Sequence, residues 1–157
     1  MLIGIIAIAK NFAIGKDGKL PWHYSSDLKF FKQTTGGNAV VMGHNTWLSL
    51  PKRPLPNRLN IVLSRTAQTE SEPNVLIMRD MESVLALKNY LACDLFVIGG
   101  AKAYESFQNV MDKWIVTEVP IEIEDADTFM RKDFLDGFQL KETIELDDQL
   151  AVRFYEK

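Results

Sequence analysis

Asp27 is the residue of this chain whose type and position carry the most chemistry. It falls in the first turn of a helix predicted over residues 25–35, with Ser25 or Ser26 as the expected N-cap. Phe31 lies four residues on, and residues at this spacing share one helix face. A carboxylate among apolar side chains is unfavourable unless something hydrogen-bonds to it. No basic residue shares that face, so either a ligand with paired N–H donors supplies the partner or Asp27 merely supports the helix dipole.

Polar and glycine-rich segments follow three predicted strands. The residues concerned are Gly43, His44, Asn45 and Thr46 after strand 39–42, Leu63, Ser64 and Arg65 at the end of strand 59–63, and Gly99, Gly100, Ala101 and Lys102 after strand 95–98. Ligands collect at the carboxyl ends of parallel strands, and helix N-termini bind phosphate. Arg65 and Lys102 add positive charge. Each signal is weak alone, and neither G-x-G-x-x-G nor a P-loop is present, but together they predict a phosphorylated dinucleotide across this edge.

The remaining pattern predicts one α/β domain over residues 1–157. The apolar run over residues 1–9 reads as a strand buried on both faces, too short for a membrane span. Alternation with helices favours a mainly parallel sheet, and the last two strands, 138–144 and 150–155, pair antiparallel. Residues 10–24 form a long connection and a candidate lid. The other predicted elements are strands 74–78 and 114–117, helix 44–48, a helix capped by Asp80 with Val84, Leu87 and Leu91 on one face, a helix through Tyr104 and Phe107, and a polar loop over 66–73.

The composition limits the classes of function. The net charge is −3, whereas a nucleic-acid surface requires clustered lysine and arginine. One cysteine and two histidines argue against an internal disulfide or a metal site. The N-terminal run lacks the basic segment of a secretory signal. We therefore expect a cytoplasmic monomer that binds neither nucleic acid nor membrane and holds no metal.

The motifs as a set resemble one known family, dihydrofolate reductase, over nearly the whole chain. The combination is far more specific than any of its members. The segments that carry the resemblance are Ile14-Gly15, Leu20-Pro21-Trp22, Asp27, Phe31, Val41-Met42-Gly43, Thr46-Trp47, Arg53-Pro54-Leu55-Pro56-Asn57-Arg58, Ile61-Val62-Leu63-Ser64-Arg65, Val97-Ile98-Gly99-Gly100, Tyr104 and Thr117.

The resemblance implies an eight-stranded sheet with about four flanking helices and NADPH-dependent reduction of 7,8-dihydrofolate to tetrahydrofolate, which supports one-carbon metabolism. Hydride would reach carbon C6 of the pterin, and a proton would reach nitrogen N5. The implied catalytic residues are Asp27, Leu20, Trp22 and Thr117. Burial would raise the pKa of Asp27, which makes the rate depend on pH. Antifolate inhibitors would bind the same site.

The resemblance also assigns two sets of binding residues. Those toward the substrate are Ile5, Ile6, Asp27, Leu28, Phe31, Leu50, Leu55, Arg58, Ile98 and Thr117, with Arg58 on the carboxylate of the glutamate tail. Those toward NADPH are Ala7, Ile14, Gly15, Gly43, His44, Asn45, Thr46, Leu63, Ser64, Arg65, Ile98, Gly99, Gly100, Ala101, Lys102 and Tyr104. The chain departs from the family at His44 and Lys102, which stand where arginine is common, so part of the phosphate contact is expected to weaken and to depend on pH.

Two other functions remain open at this stage. A related reductase with a different pterin or pyrimidine acceptor would share the fold and the NADPH site. A non-catalytic nucleotide-binding module would bind NADPH but no folate analogue. The combination of Asp27, Phe31 and Arg58 argues against both alternatives, since a bare cofactor-binding module has no need of these residues.

Overall fold

The computed structural model describes residues 1–68 and 72–157 and has the expected α/β architecture: an eight-stranded, mainly parallel sheet with four α-helices. The strands are β1 Leu2–Ala9, β2 Ala13–Gly15, β3 Ala39–Gly43, β4 Leu59–Leu63, β5 Val75–Met78, β6 Leu95–Val97, β7 Lys113–Val119, β8 Thr128–Phe129, β9 Gln139–Glu145 and β10 Ala151–Glu156. The helices are α1 Ser25–Thr35, α2 His44–Ser49, α3 Met81–Lys88 and α4 Ala101–Phe107.

The order of strands across the large sheet is β5-β4-β3-β6-β1-β7-β10-β9. The first six strands of this order run parallel, whereas β10 is antiparallel to both β7 and β9, as expected for strands joined by a short turn. The carboxyl ends of β1, β3, β4 and β6 therefore meet at one edge. β1 is buried along almost its whole length, because strands lie on both sides of it and side chains cover both faces.

Apolar side chains form one cluster on each face of the sheet. The larger contains Trp114 and Phe107, both fully buried. The smaller includes Trp47 of α2, and Phe30 and Phe31 of α1 pack against it. The sheet thus carries α1, which contains Asp27, on one face and α4 on the other.

Two details of the sequence-based prediction are corrected, and a third lies partly outside the described residues. Neither Ser25 nor Ser26 is the N-cap of α1; Tyr24 occupies that position without a side-chain capping bond. The Ser26 hydroxyl instead donates to the Asp147 carbonyl and to the Asp148 carboxylate, each at 3.0 Å. Leu91 lies beyond the end of α3, although Asp80 does cap this helix by accepting from the Ser83 N–H at 2.7 Å. Of the predicted loop 66–73, residues 69–71 lie outside the described residues.

The connection over residues 10–24 contains a strand that the sequence pattern did not predict. β2 pairs antiparallel with β8, more than a hundred residues later. Lys16 forms an ion pair with Asp125, and the Asp17 N–H donates to the Asp127 carboxylate at 2.8 Å. This segment is therefore held against residues 121–130 by backbone pairing and by charge.

Asn60 is the buried polar residue that shapes the loop before β4. Its amide oxygen accepts from the Leu55 N–H at 2.9 Å, and its amide nitrogen donates to the carbonyls of Leu55 and Arg58, each at 3.0 Å. The Asn60 side chain therefore forms hydrogen bonds with backbone groups at both ends of the segment 55–58. The loop conformation depends on this one amide.

We predict that Asn60→Ala lowers the free energy of unfolding by about 2–4 kcal/mol, because it leaves several buried backbone groups unpaired. Urea denaturation measures this loss. Asn89→Ala, at the exposed end of α3, is the matched control and should change stability by less than about 0.5 kcal/mol. Equal stability of the two variants would show that the Asn60 amide does not hold the loop.

Candidate active site

The Asp27 carboxyl is buried on α1, with 9% of the residue exposed. Desolvation raises its pKa, and a hydrogen bond with the Thr117 side chain partly opposes that rise. Thr117 lies on β7 and is itself buried. Within the described residues no cation contributes to the Asp27 pKa, so the only protein group that stabilises the charged form is a hydroxyl. The carboxyl therefore retains hydrogen-bonding capacity for another donor.

The register of the sheet places Ala7 of β1 directly opposite Thr117 of β7. Ala7 is the one residue of β1 that is half-buried, while its strand neighbours are buried. The surface of β1, which is otherwise covered, is therefore accessible at Ala7, beside Thr117. A ligand on Asp27 would meet the β1 backbone at this point.

Tyr104 of α4 joins this site from the other face of the sheet. Its hydroxyl donates to the Ile5 carbonyl at 2.7 Å. Burial, together with the nearby Asp27 charge, raises the pKa of Tyr104. The phenol therefore remains protonated and orients the carbonyl of β1, and the effect of the Asp27 charge on the pKa of Tyr104 places the two groups in one electrostatic environment.

The apolar residues predicted to contact substrate lie on both faces of the sheet. Ile5 of β1 is buried on the α1 face, and the half-buried Phe31, Leu50, Leu55 and Ile98 pack against the same cluster. Ile6 is instead buried in the cluster on the α4 face, because successive residues of a strand face opposite sides. Leu28 departs from the prediction of an enclosed apolar face, because 48% of it is exposed. It lies at the rim of the site rather than in its wall.

Arg58 is buried and held by two hydrogen bonds. Its Nε donates to the Pro56 carbonyl at 2.9 Å and its Nη1 to the Thr35 hydroxyl at 3.0 Å. Its guanidinium carbon lies 5.9 Å from the centre of the Phe31 ring. Burial lowers the pKa of Arg58. The guanidinium is thus preorganised beside Phe31, where its remaining N–H groups can bind a carboxylate in a forked geometry.

Gly43, Gly99 and Gly100 bring two helix N-termini together. Gly43 is the N-cap of α2 and Gly100 the N-cap of α4, and neither helix has a side-chain cap. The Gly43 N–H donates to the Gly99 carbonyl at 2.9 Å, and the Thr46 hydroxyl would lie 3.5 Å from a Cβ at residue 100. Gly99 has φ +120°, a conformation that other residues rarely adopt. The cradle presents backbone N–H groups and dipoles suited to phosphate.

Basic residues lie around this cradle and along the neighbouring strand end. His44 begins α2, exposed Lys102 is in the first turn of α4, and exposed Arg65 follows β4. Sequence reasoning missed Arg79, which follows β5 and donates to the carbonyls of Ser64 at 3.1 Å and Ala67 at 2.6 Å. The same rule that selected Arg65, a basic residue just after a strand, would have found it.

The predicted lid residues divide into exposed and packed positions. Leu20 is 48% exposed, while Trp22 is half-buried. The Trp22 indole Nε1 is buried and finds no acceptor among the described residues. Ile14 and Gly15 are half-buried in β2, and the Gly15 carbonyl accepts from the Asp127 N–H at 3.2 Å.

Two other kinds of site were sought in the described ranges, 1–68 and 72–157. These residues contain no group of three or more histidine, cysteine or acidic side chains that could hold a metal ion. No helix among them is long and apolar enough to cross a membrane.

Comparison with known proteins points to a single family. A family model described as dihydrofolate reductase matches residues 1–155. The dihydrofolate reductase of Buchnera aphidicola is 38% identical over 119 residues, covering 76% of this chain and 72% of that protein. The enzyme of Ureaplasma parvum is 33% identical over 147 residues, covering 92% and 90%.

Other relatives are longer proteins or solved structures. A bifunctional dihydrofolate reductase-thymidylate synthase of Daucus carota is 42% identical over 144 residues, which cover 80% of this chain but only 27% of that protein. The chain thus matches about a quarter of the length of this relative. The structure of dihydrofolate reductase from Enterococcus faecalis, complexed with NADP(H) and RAB-propyl, has a TM-score of 0.89 and 31% identity, covering 99% of this chain and 95% of that one.

We predict that Asp27→Asn stabilises the ligand-free protein near neutral pH. The folded state raises the pKa of Asp27, so the native protein binds more protons than the unfolded chain between the unfolded and folded pKa values. The stability of the wild type therefore falls as pH rises through the folded pKa, and the variant escapes this loss.

Urea denaturation of both proteins across a pH series measures the difference. The advantage of the variant should shrink below the ordinary aspartate pKa of about 3.9. Asp136→Asn, at an exposed position, controls for the removal of one negative charge. A variant less stable than the wild type at pH 8 would contradict the burial argument.

Proposed function

This chain belongs to the dihydrofolate reductase family of NADPH-dependent oxidoreductases, and on that basis we propose that it reduces 7,8-dihydrofolate to 5,6,7,8-tetrahydrofolate. The proposal rests on the buried Asp27 carboxyl. A hydrogen bond with Thr117 lowers its pKa, no cation contributes to that pKa, and Thr117 lies opposite the opening at Ala7. A pterin presents an amino group and a ring nitrogen on one edge. Those donors match the capacity left on Asp27.

In the proposed site, Asp27 binds and polarises the pterin rather than touching every reacting atom. Its carboxylate accepts from the pterin's 2-amino group and the adjacent ring nitrogen, and Thr117 shares this hydrogen bonding directly or through a water. Ile5, Phe31, Leu50, Leu55 and Ile98 supply apolar walls around the ring, with Leu28 at the rim. Because apolar walls exclude water, each polar contact within the site is stronger than it would be in solvent.

Protonation at N5 depends on the raised pKa of Asp27. A carboxyl whose pKa lies above its ordinary value holds its proton at higher pH, and polarisation of the ring helps a water to deliver the proton to N5. Trp22, with its buried indole N–H, and Leu20 cover the reacting face from the segment over residues 10–24. Closure of that segment would exclude bulk water during transfer.

The residues present fit NADPH, which would supply the hydride delivered to C6. The Gly43, Gly99 and Gly100 cradle, with Thr46 and Ala101, suits the diphosphate because its two helix N-termini lack side-chain caps. Ala7, Ile14 and Gly15 would hold the carboxamide end through backbone groups, and Tyr104 and Ile98 would contact the cofactor near that end. On the opposite side, Leu63, Ser64 and Arg65 would bind the 2′-phosphate, while His44, Asn45 and Lys102 add polar and charged contacts.

Arg58 is proposed to bind a carboxylate of the substrate's glutamate tail. Its contacts with Thr35 and Pro56 fix the guanidinium plane before the ligand arrives, which reduces the entropy lost on binding. Antifolate inhibitors would use the same contacts. We also infer that residues 1–157 act as a single domain, monomeric and cytoplasmic, on small molecules rather than nucleic acids. The continuous eight-stranded sheet supports the single domain, and the net charge of −3 supports a small-molecule ligand over a nucleic acid.

Asp27→Asn is the experiment that tests the proposed function. The amide cannot accept both pterin donors or hold the proton, so we predict a loss of at least about a hundredfold in kcat at pH 7 with little change in NADPH affinity. Loss of NADPH absorbance after mixing with dihydrofolate measures turnover, and fluorescence titration measures cofactor binding.

Asp136→Asn serves as the matched control and should keep wild-type turnover. Wild-type protein that binds NADPH but reduces no dihydrofolate would overturn the function proposed. Equal loss of turnover and NADPH affinity in Asp27→Asn would show that Asp27 has a structural role and does not bind the pterin.

We predict that Arg65→Gln lowers the preference for NADPH over NADH by about tenfold or more, because a charged hydrogen bond to the 2′-phosphate is lost. The ratio of kcat/KM for the two cofactors measures the preference. Arg153→Gln, which breaks an ion pair with Glu118 on β10 and β7, is the matched control. If Arg65→Gln keeps the wild-type ratio, the 2′-phosphate is bound elsewhere, and Arg79 becomes the next residue to test.

A further inference from the structure

Trp114 of β7 is a fully buried tryptophan that the proposed function does not use. Its indole belongs to the cluster on the α4 face of the sheet and lies against two other rings. The ring centroids of Trp114 and Tyr104 are 5.7 Å apart, and those of Trp114 and Phe134 are 5.0 Å apart at an interplanar angle of 77°. Tilted and edge-to-face pairs at such distances are attractive. Trp114 is thus in contact with Tyr104 without belonging to either predicted set of binding residues.

Gly4 of β1 leaves the space that this indole occupies. The parallel register pairs Gly4 with Trp114, and a Cβ built at Gly4 would overlap the Cε3 and Cζ3 atoms of the indole. Glycine weakens the interior of a strand, because it has no side chain to pack, and it often marks a close approach of another group. The glycine in this buried strand is therefore explained by the ring of Trp114, which lies directly over the β1 backbone.

Packing rather than hydrogen bonding fixes the position of the indole. The Trp114 Nε1 is buried and finds no acceptor among the described residues. A buried donor without a partner lowers stability, so no hydrogen bond orients this ring. Its orientation is instead determined by the missing side chain at Gly4 and by the rings of Tyr104 and Phe134.

Tyr104 connects this packing to the proposed cofactor site. Its hydroxyl donates to the Ile5 carbonyl of β1 at 2.7 Å, and its backbone N–H donates to the Gly100 carbonyl at 3.0 Å. A Cβ at Gly99 would lie 3.6 Å from both Cε2 and the hydroxyl oxygen of Tyr104. The phenol is therefore in contact with the glycine cradle, with β1 and with the indole. A shift of the indole would change the position of the hydroxyl.

We propose that Trp114 is a positioning residue for Tyr104, and that Gly4 and Trp114 together fix the phenol beside the nicotinamide end of the NADPH site. Trp114 is covered on all sides and acts only through Tyr104. The proposal rests on the proposed function and deepens it by naming two residues that hold a cofactor contact in place.

Trp114→Leu tests the proposal by the binding of two ligands, NADPH and adenosine 2′,5′-bisphosphate, which lacks the nicotinamide. Leucine removes the aromatic contact with Tyr104. We therefore expect the dissociation constant of NADPH to rise about threefold to tenfold, while that of the bisphosphate stays within about twofold. Isothermal titration calorimetry measures both constants and requires no turnover. An equal change for the two ligands would overturn the proposal.

Two further variants separate positioning from general loss of packing. Trp114→Phe keeps an aromatic ring and should keep the NADPH dissociation constant within about twofold of the wild type. Phe107→Leu is the matched control, because Phe107 is fully buried in the same cluster but belongs to no aromatic pair among the described residues. It should lower stability without changing the ratio of the two dissociation constants. A selective loss of NADPH affinity in Phe107→Leu would contradict the role given to Trp114.

A double-variant cycle tests whether Trp114 acts through the Tyr104 hydroxyl. Tyr104→Phe removes that hydroxyl, so adding Trp114→Leu should slow hydride transfer in a single turnover no further. Multiplying effects would overturn the proposal, although turnover by the wild type would still uphold the proposed function.

Gly4→Ala is the alternative variant if Trp114→Leu does not fold. The added methyl group displaces the indole from the β1 side, so this variant should also weaken NADPH more than the bisphosphate. Folded Gly4→Ala protein with wild-type affinity for NADPH would show that the position of the indole does not matter to the cofactor.

Discussion

The physical constraint on which the site depends is the burial of the Asp27 carboxyl without a cation. An ion pair would have stabilised the charge but would also have occupied the oxygens that a ligand needs. Thr117 instead contributes a hydroxyl, which lowers the pKa less than burial raises it. The folded protein thus carries an electrostatic penalty that suitable N–H donors of a ligand can remove. Stability and ligand recognition are opposed at this residue, as is common for functional sites.

The sheet explains how the proposed substrate and cofactor sites lie side by side. Alternate residues of a strand face opposite sides, so the pairing of Ala7 with Thr117 fixes which side chains of β1 and β7 meet the site. A one-residue slip would turn Thr117 away from Asp27. Two other parallel strands of this sheet, β3 and β6, end at Gly43 and Val97, where the glycine cradle begins. Substrate and cofactor contacts are therefore set by one hydrogen-bonded framework.

The sequence predicted the elements that depend on local patterns and missed those that depend on distant contacts. The bounds of α1 and β4 were correct because helical spacing and a short apolar run identify them directly. The expected N-cap was wrong because the Ser26 hydroxyl finds acceptors more than 120 residues away. β2 escaped detection because a three-residue strand has too few residues to show alternation. The roles that the motif set assigns to individual residues of the candidate site stay predictions, and the strand pairing around that site could not be predicted from residue spacing.

Buried and exposed basic residues make different contributions to binding in this molecule. Arg58 is held by Thr35, by Pro56 and by a loop that Asn60 shapes, so its orientation exists before a ligand binds. Such a group favours one geometry and loses little entropy. Exposed lysines such as Lys29 and Lys32 interact through solvated charges, so their contribution to binding is weaker, longer in range and sensitive to salt. A guanidinium that is already oriented, by contrast, is suited to select one geometry of a bound carboxylate.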